Sequence, residues 1–315
     1  MSLPYLSGAV PNSGRATDRP RHPPRHRHRP RRGANVGFYA DTLGLRFLKR
    51  TVDLEDRFSY HFHYGDATGS AGSVLTSFPF PDEADGRVGR PQIADASLAV
   101  PAGSLGYWRD RLADAGAEVG AVEERFAERA LPVRDPDGTR LELVTARAHA
   151  EPWDGGDVPA EHGIRGVAGV SLLSASPFVT ASLLETFGFE RGGQEGDRVR
   201  YETGRGVVDL LDREAPFGRE GAGTIHHVAF GVESDEALHE WRDVLADRED
   251  ARVSYVKDRE FYRSLYVRGA GGILFELATE PTDLTAGDPA PGEHLYLPDR
   301  FEEDRDLIES QLPPL

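Results

Sequence analysis

The chain has no cysteine, a single methionine and only two lysines among its 315 residues. Without cysteine there are no disulfide bonds, thiolate metal sites or cysteine nucleophiles. No stretch approaches the roughly 20 consecutive apolar residues of a membrane-spanning helix. The N-terminal region also lacks the apolar core of a signal peptide, so we expect a cytoplasmic protein with no membrane partner.

Acidic residues strongly outnumber basic ones. Asp and Glu total 53 against 37 Lys and Arg, which gives a formal net charge of −16. A carboxylate-rich surface with almost no lysine is typical of halophilic proteins, because a high-salt cytoplasm screens the self-repulsion of the surface. The same charge argues against nucleic acid as a partner, since a phosphate backbone would be repelled. The exception is a basic segment at residues 15–32.

Internal repeats organise the rest of the chain. Each repeat predicts a strand, an amphipathic helix and about three further strands. Four such units are predicted at about 20–82, 90–147, 164–213 and 222–280. The paired motifs are FYADTLGLRF (38–47) with LLETFGFER (183–191), IADASLAV (93–100) with IHHVAFGV (225–232), and DGTRLELV (137–144) with GGILFELA (271–278).

A candidate metal site lies in the last unit. His226 and His227 open an apolar strand, and Glu276 stands alone inside a later apolar strand. With one further histidine, two imidazoles and a carboxylate would form the face that binds Fe(II) in mononuclear oxygenases. Neighbouring side chains on a regular strand point in opposite directions, so only one of the two histidines should reach an ion unless the strand is bulged. The alternative is that both histidines only pack within a buried strand.

The second unit provides an internal control. Alignment of the repeats places Asp95 opposite His227 and Glu142 opposite Glu276. Unit 2 therefore keeps the glutamate and lacks the histidine. We predict one metal site per chain, with Glu142 as a structural carboxylate. His61 and His63 have a spacing that would suit a metal pair, but their alternation is more typical of a half-buried strand with polar tips.

The repeated units, the HHVAF strand, the FEL glutamate and the stretch DREFYRSLYVRGAGGILFE (258–276) resemble the vicinal oxygen chelate (glyoxalase/bleomycin resistance/extradiol dioxygenase) superfamily. The subgroup that is most similar comprises ring-cleaving dioxygenases of the hydroquinone type. The resemblance implies an α+β fold, with four βαβββ modules arranged as two glyoxalase-like domains. The expected N-terminal domain is 34–150 and the C-terminal, metal-binding domain is 164–280, with a linker at 151–163 and an acidic tail at 281–315.

The resemblance also implies roles for individual residues. His227 and Glu276 would bind the metal, which would be Fe(II), with Mn(II) as the alternative. His226 would act as an acid or base beside the bound substrate, while Tyr266 and Arg259 would contact the substrate or the oxygen intermediate. The partners would be a small aromatic diol and O₂, and a homo-oligomer is compatible with the sequence.

The segment that departs from the family pattern is residues 1–33. Similar proteins carry a first strand reading GIHHVTAIA, which supplies the remaining histidine ligand, where this chain reads RHPPRHRHR (21–29). Suitable codons for RHPPRHRHR, read one base later, encode GIHHVTAIA, so we hypothesise a frame-shifted first strand. The alternatives are a solvated basic tail or a metal-binding tract that uses His22, His26 or His28.

The sequence therefore predicts an Fe(II)-dependent ring-cleaving dioxygenase of the extradiol type, acting on a hydroquinone or catechol. Loss of the first-strand histidine would impair metal binding in this chain. Two rival functions use the same scaffold. One is a non-redox, metal-dependent lyase or isomerase like glyoxalase, and the other is a resistance protein that only binds a small molecule.

Overall fold

The repeat units can be followed strand by strand in the computed structural model, which describes residues 5–12, 31–80, 83–146, 150–286, 288 and 290–313. A π-helical segment, Gly37–Thr42, continues the first helix. The elements of unit 1 are β1 (Tyr5–Asn12), α1 (Arg31–Val36), β2 (Arg46–Val52), β3 (Tyr60–Gly65) and β4 (Leu75–Ser77). The sequence predicted the start of unit 1 near residue 20, whereas β1 lies upstream of the basic segment. Residues 21–29, including His22, His26 and His28, fall outside the described part of the chain.

The other three units each begin with a strand and a helix and end in a run of antiparallel strands. Unit 2 contains β5 (Gln92–Ala99), α2 (Leu105–Asp114), β6 (Glu118–Val119), β7 (Glu123–Arg125), β8 (Glu128–Arg134) and β9 (Arg140–Val144). Unit 3 contains β10 (Val167–Leu173), α3 (Pro177–Thr186), β11 (Glu190–Glu195), β12 (Arg198–Thr203) and β13 (Gly206–Leu211). Unit 4 contains β14 (Thr224–Val232), α4 (Asp235–Ala246), β15 (Ala251–Val253), β16 (Lys257–Asp258), β17 (Arg263–Gly269) and β18 (Leu274–Thr279). The predicted α+β class is confirmed.

Local sequence explains how these elements begin and end. Gly44 and Gly188, the glycines of the first repeated motif, follow their helices with φ of 70° and 88°, a left-handed conformation that favours glycine. At the start of α4, the Ser234 hydroxyl accepts a hydrogen bond from the backbone N–H of Ala237. The buried faces of α2 and α4 each consist of two leucines and a tryptophan.

The sheets join units across the two halves of the chain. Antiparallel pairing of β5 with β10 connects units 2 and 3, and antiparallel pairing of β1 with β14 connects units 1 and 4. In each of units 2, 3 and 4, the first strand is parallel to the last. Two clefts result, which we call the 1–4 cleft and the 2–3 cleft after the units that line them. The predicted domain boundaries stay a prediction.

The segment between the halves and the C-terminal tail both contact the body. Val158 is buried, and a Cβ added to Gly44 would lie only 2.5 Å from its Cγ2. In the tail, α5 (Asp299–Glu302) and α6 (Arg305–Gln311) follow a loop that packs on unit 1. Leu297 and Ile308 form a small apolar cluster with Val52 of β2, so the tail packs against the body. Within the described part of the chain, no helix combines the length and apolar character needed to cross a membrane.

Candidate active site

Two neighbouring strands of unit 4 bring His227 and Glu276 together. His227 lies on β14 and Glu276 on β18, where Glu276 pairs with Ala229. His227 Nε2 is 2.9 Å from Glu276 Oε2, and the two residues are 6% and 2% exposed. Glu276 Oε1 is also buried and has no hydrogen-bond partner among the described residues. The structure therefore brings together the two residues to which the sequence assigned a metal.

His226 faces the same cavity as His227 because β14 is irregular at this point. The pairing of β1 with β14 skips His226, since Val10 pairs with His227 and Pro11 pairs with Ile225. Nδ1 of His226 and Nδ1 of His227 are 3.0 Å apart. The bulge is the condition under which both side chains could reach one site.

Tyr266 and Arg259 complete this wall of the 1–4 cleft. Tyr266 lies directly across from Glu276 in the pairing of β17 with β18, and its ring centre is 5.5 Å from that of His227. The Arg259 guanidinium lies 5.0 Å from the centre of the Tyr266 ring and contacts Glu55 at 3.5 Å. These side chains line a cavity of about 510 Å³. All five site residues named from the unit 4 motifs lie in one place.

Burial and neighbouring charges set the protonation states in this wall. Burial, and then the proximity of His227 and Arg268, lower the pKa of His226 to about 3, so this imidazole is neutral at neutral pH. Burial raises the pKa of Tyr266, and the nearby Glu276 carboxylate raises it further, so the phenol keeps its proton. Burial opposes ionisation of Glu276, but the hydrogen bond and charge of His227 outweigh it and lower the pKa of this carboxyl. The wall thus combines an anionic oxygen ligand with neutral donors.

Unit 1 supplies the opposite wall, which the sequence interpretation missed. His61 and His63 on β3 line the cavity with Thr76, Phe78 and Phe80. The interpretation of both histidines as polar tips of a half-buried strand is wrong, because His63 is only 2% exposed and both rings lie inside the 1–4 cleft. Alternating polarity on a strand cannot distinguish a face toward solvent from a face toward an internal cavity. The signal that could have identified them is the histidine pair itself.

The residues present supply two donors for one ion. His227 offers a nitrogen and Glu276 an oxygen, which is the donor chemistry of a divalent transition metal. Among the described residues, no three His, Asp or Glu side chains are arranged to hold an ion. The donor pair fits part of the predicted ligand set, and the orphaned Oε1 of Glu276 is available as a ligand atom.

The 2–3 cleft has the corresponding backbone and a different chemistry. Ser97 pairs with Glu142 as Ala229 pairs with Glu276, so Asp95 takes the position of His227, as the repeat alignment predicted. Arg125 forms a buried ion pair with Glu142. Arg198 also lies near Glu142, at 3.8 Å. Glu142 is thus neutralised by arginines, the arrangement expected for a structural carboxylate.

Comparison with known proteins places the chain in a family. The model of the Glyoxalase/Bleomycin resistance protein/Dioxygenase superfamily matches residues 32–143. MhqO of Bacillus subtilis (strain 168), which carries the name of a ring-cleaving dioxygenase, is 37% identical over 287 residues, covering 89% of this chain and 91% of MhqO. The chain belongs to this superfamily. Its mixed α+β fold is glyoxalase-like.

Two further similar proteins extend the comparison. A crystal structure of a Bacillus subtilis protein described as a dioxygenase superposes with a TM-score of 0.88 at 34% identity, over 99% of this chain and 97% of the other. The chlorohydroquinone/hydroquinone 1,2-dioxygenase of Sphingobium indicum is 29% identical over 255 residues, covering 77% of this chain and 79% of the enzyme. All three relatives are named or described as dioxygenases, and the name of MhqO specifies ring cleavage.

Proposed function

We propose that the chain is a ring-cleaving dioxygenase that uses Fe(II), with Mn(II) as the alternative, to insert O₂ into a hydroquinone- or catechol-type diol. The observation that carries the proposal is the buried His227–Glu276 pair, whose histidine lines a cavity that also has aromatic side chains in its lining. The names of the relatives support ring cleavage, and one of them acts on hydroquinones. An extradiol type of cleavage is part of the proposal.

His227 and Glu276 would hold the metal through an imidazole nitrogen and a carboxylate oxygen. When bound, the ion would lower the pKa of a coordinated hydroxyl group and supply redox chemistry for O₂. The pKa of Glu276 is lowered, so this carboxylate would need no deprotonation before an ion binds. Burial of both donors excludes bulk water, which would otherwise compete for the same coordination positions.

The remaining side chains of this wall would act on the substrate itself. Neutral His226 can take a proton from a substrate hydroxyl and return it later, because it lies beside His227 in the same cavity. Protonated Tyr266 can donate a hydrogen bond to an oxygen bound near Glu276. The Arg259 guanidinium is fixed over the Tyr266 ring and can stabilise negative charge that develops on the substrate.

The aromatic side chains give the cavity a shape that suits a flat ring. Phe78 and Phe261 line it from opposite sides of the 1–4 cleft, and its volume of about 510 Å³ accommodates a substituted benzene ring. Two protein donors bind a divalent ion less tightly than three. We therefore propose that metal affinity in this chain is weak and that ring-cleaving activity requires added Fe(II) in excess.

An oxygen-electrode assay of hydroquinones and catechols with added Fe(II) tests the proposal. We expect one O₂ to be consumed per ring-opened product, both of its atoms appearing in that product by mass spectrometry after reaction with labelled oxygen. Product formation that continues under nitrogen would instead establish a non-redox lyase or isomerase. Binding of the diol without any product, with or without metal, would establish a small-molecule-binding protein.

A further inference from the structure

The unit 1 wall of the cavity carries polar atoms that the proposed chemistry does not use. Nε2 of His61, Nε2 of His63 and Oγ1 of Thr76 are all buried, and none has a hydrogen-bond partner among the described residues. All three residues line the 510 Å³ cavity. Buried polar groups in native proteins are nearly always satisfied by protein, water or ligand. Oγ1 of Thr51 on β2 is buried and unpartnered in the same lining, so four unsatisfied groups on one wall indicate a place where a polar molecule is held.

Packing fixes this wall in position. The Phe78 ring is stacked on the His61 ring, with centres 4.2 Å apart and planes 12° apart. His63 lies 4.1 Å from His61 between ring centres and meets Phe261 edge-on at 6.0 Å. Histidines held between aromatic rings on a β-strand present their nitrogens in a defined direction, which is a requirement of a selective site.

The wall faces the residues proposed to hold the metal. His61 and His63 share the cavity with His226 and His227, which lie on the other side of the 1–4 cleft. Burial is the main cause that lowers the pKa of His61, and the charges of His63, Arg259 and His227 contribute, which shows that His61 lies within electrostatic reach of the opposite wall. Neutral imidazole carries one donor and one acceptor nitrogen. It can therefore both accept from and donate to a hydroxyl group.

We propose that His61 recognises the hydroxyl group of the substrate that points away from His227 and Glu276, and so selects para-diols over catechols and monophenols. The proposal rests on the ring-cleaving function proposed above. A para-diol bound at His227 and Glu276 carries its second hydroxyl across the ring, toward unit 1. A catechol would place both hydroxyls on one side and leave the His61 nitrogen unsatisfied. A site that hydrogen-bonds a hydroxyl discriminates strongly against analogues that lack it.

Ligand binding under nitrogen tests His61 independently of ring cleavage. The affinities of hydroquinone, catechol and phenol are measured by calorimetry on the protein with one fixed concentration of Zn(II), which cannot cycle its oxidation state. We expect the wild-type protein to bind hydroquinone at least about tenfold more tightly than phenol. In His61→Phe this ratio should fall below about twofold, because phenylalanine keeps the ring and removes the hydrogen bond.

Two further variants separate recognition from packing. His61→Gln keeps a donor and an acceptor, so it should retain a preference for hydroquinone over phenol. His239→Phe changes an exposed histidine on α4 and should leave all three affinities unchanged. If His61→Phe does not fold, nitrogen NMR of the wild-type protein provides the second measurement, with His61→Gln to assign the signal. Hydroquinone should then shift the His61 ring nitrogen signal, whereas phenol should not.

The outcomes distinguish this proposal from the function on which it rests. A hydroquinone to phenol ratio that is unchanged in His61→Phe, or a wild-type protein that prefers catechol, would overturn the role of His61 even if oxygen is consumed. A ratio that collapses in His61→Phe while no diol consumes oxygen would support the recognition site and reject the dioxygenase. Loss of binding to all three ligands alike in His61→Phe would show a packing role and also overturn the proposal.

Discussion

The 1–4 and 2–3 clefts share a backbone plan and differ in what neutralises their carboxylates. Each pairs the first strand of a unit with the last in the same register, so Glu276 and Glu142 hold equivalent positions. Glu276 contacts the imidazole of His227, whereas Glu142 contacts the cation Arg125. A buried carboxylate with its own guanidinium has no need of a metal, while one paired with a histidine can accept an ion.

The two clefts even carry an arginine at the corresponding place. Arg125 and Arg259 each precede a residue with left-handed backbone, Phe126 at φ 48° and Glu260 at φ 71°. Arg125 reaches its glutamate, but Arg259 stops over a tyrosine ring. The difference lies in the residue across from each glutamate.

In unit 2 that residue is Pro132, and in unit 4 it is Tyr266. We attribute the different contacts of Arg125 and Arg259 to this position, because a bulky phenol beside Glu276 occupies the space that a guanidinium would need. The short ring of Pro132 leaves that approach to Glu142 open. The presence of one aromatic side chain, Tyr266, thereby distinguishes the candidate metal site of the 1–4 cleft from the structural ion pair of the 2–3 cleft.

Among substitutions at residues that distinguish the two clefts, we expect the largest effect on stability. Arg125→Ala would leave Glu142 buried without its nearest cation, at a cost of about 3–5 kcal/mol in the free energy of unfolding. Arg259→Ala should cost about 1 kcal/mol or less, because the nearest carboxylate to Arg259 is the half-exposed Glu55. Urea denaturation of both variants measures the difference. Equal losses would show that the two arginines have the same structural role.

The next effect is on metal binding. Glu276→Gln removes the anionic ligand and should weaken Fe(II) or Co(II) binding by about 100-fold, since removal of a charged ligand strongly lowers affinity. Glu240→Gln, which changes an exposed carboxylate on α4, serves as the matched control. Anaerobic calorimetry and the visible spectrum of bound Co(II) give the affinity and the coordination. Binding that survives in Glu276→Gln would place the ion elsewhere.

The sequence was sufficient to predict which residues hold equivalent positions in the two clefts. It was not sufficient to predict the direction in which every side chain points. The FEL and LEL motifs were sufficient to align Glu276 with Glu142 and to place Asp95 where the other unit has His227. This succeeded because strand repeats preserve the inward and outward alternation of side chains. The bulge at His226 left no mark on the sequence, so the shared orientation of the two histidines could only be stated as a condition.

Residues that depend on contacts between units were not predictable from local pattern. His61 lies in unit 1 and faces unit 4, and nothing within YHFHYGD states which surface that strand will oppose. Arg125 and Glu142 lie 17 residues apart on different strands, and their pairing follows from the neighbouring Pro132 rather than from any spacing rule. Both the position of His61 and the pairing of Arg125 with Glu142 depend on tertiary contacts.

The smallest effect concerns Asp95, the counterpart of His227, and it appears as a pH dependence of stability. Burial, and then the charge of Glu142, raise the pKa of Asp95 to about 7 in the folded protein, although Arg198 and Arg125 oppose the shift. The unfolded chain releases this proton near pH 4. Between pH 4 and pH 7 the folded state therefore binds more protons than the unfolded state, so the Asp95 contribution to stability falls as the pH rises through this window.

Asp95→Asn removes this titration, because asparagine keeps the shape of the side chain without an ionisable group. The variant should lose stability less steeply than the wild-type protein between pH 4 and pH 7, and should be about 1 kcal/mol more stable at pH 7. The gain is modest because the variant also loses the attraction of Asp95 to Arg198 and Arg125. Thermal unfolding across this pH range measures the slope. Parallel stability profiles of the wild-type protein and Asp95→Asn would mean that Asp95 is ionised throughout this pH range. The arginines of the 2–3 cleft would then neutralise all three of its buried carboxylates, Asp95, Glu142 and Asp209.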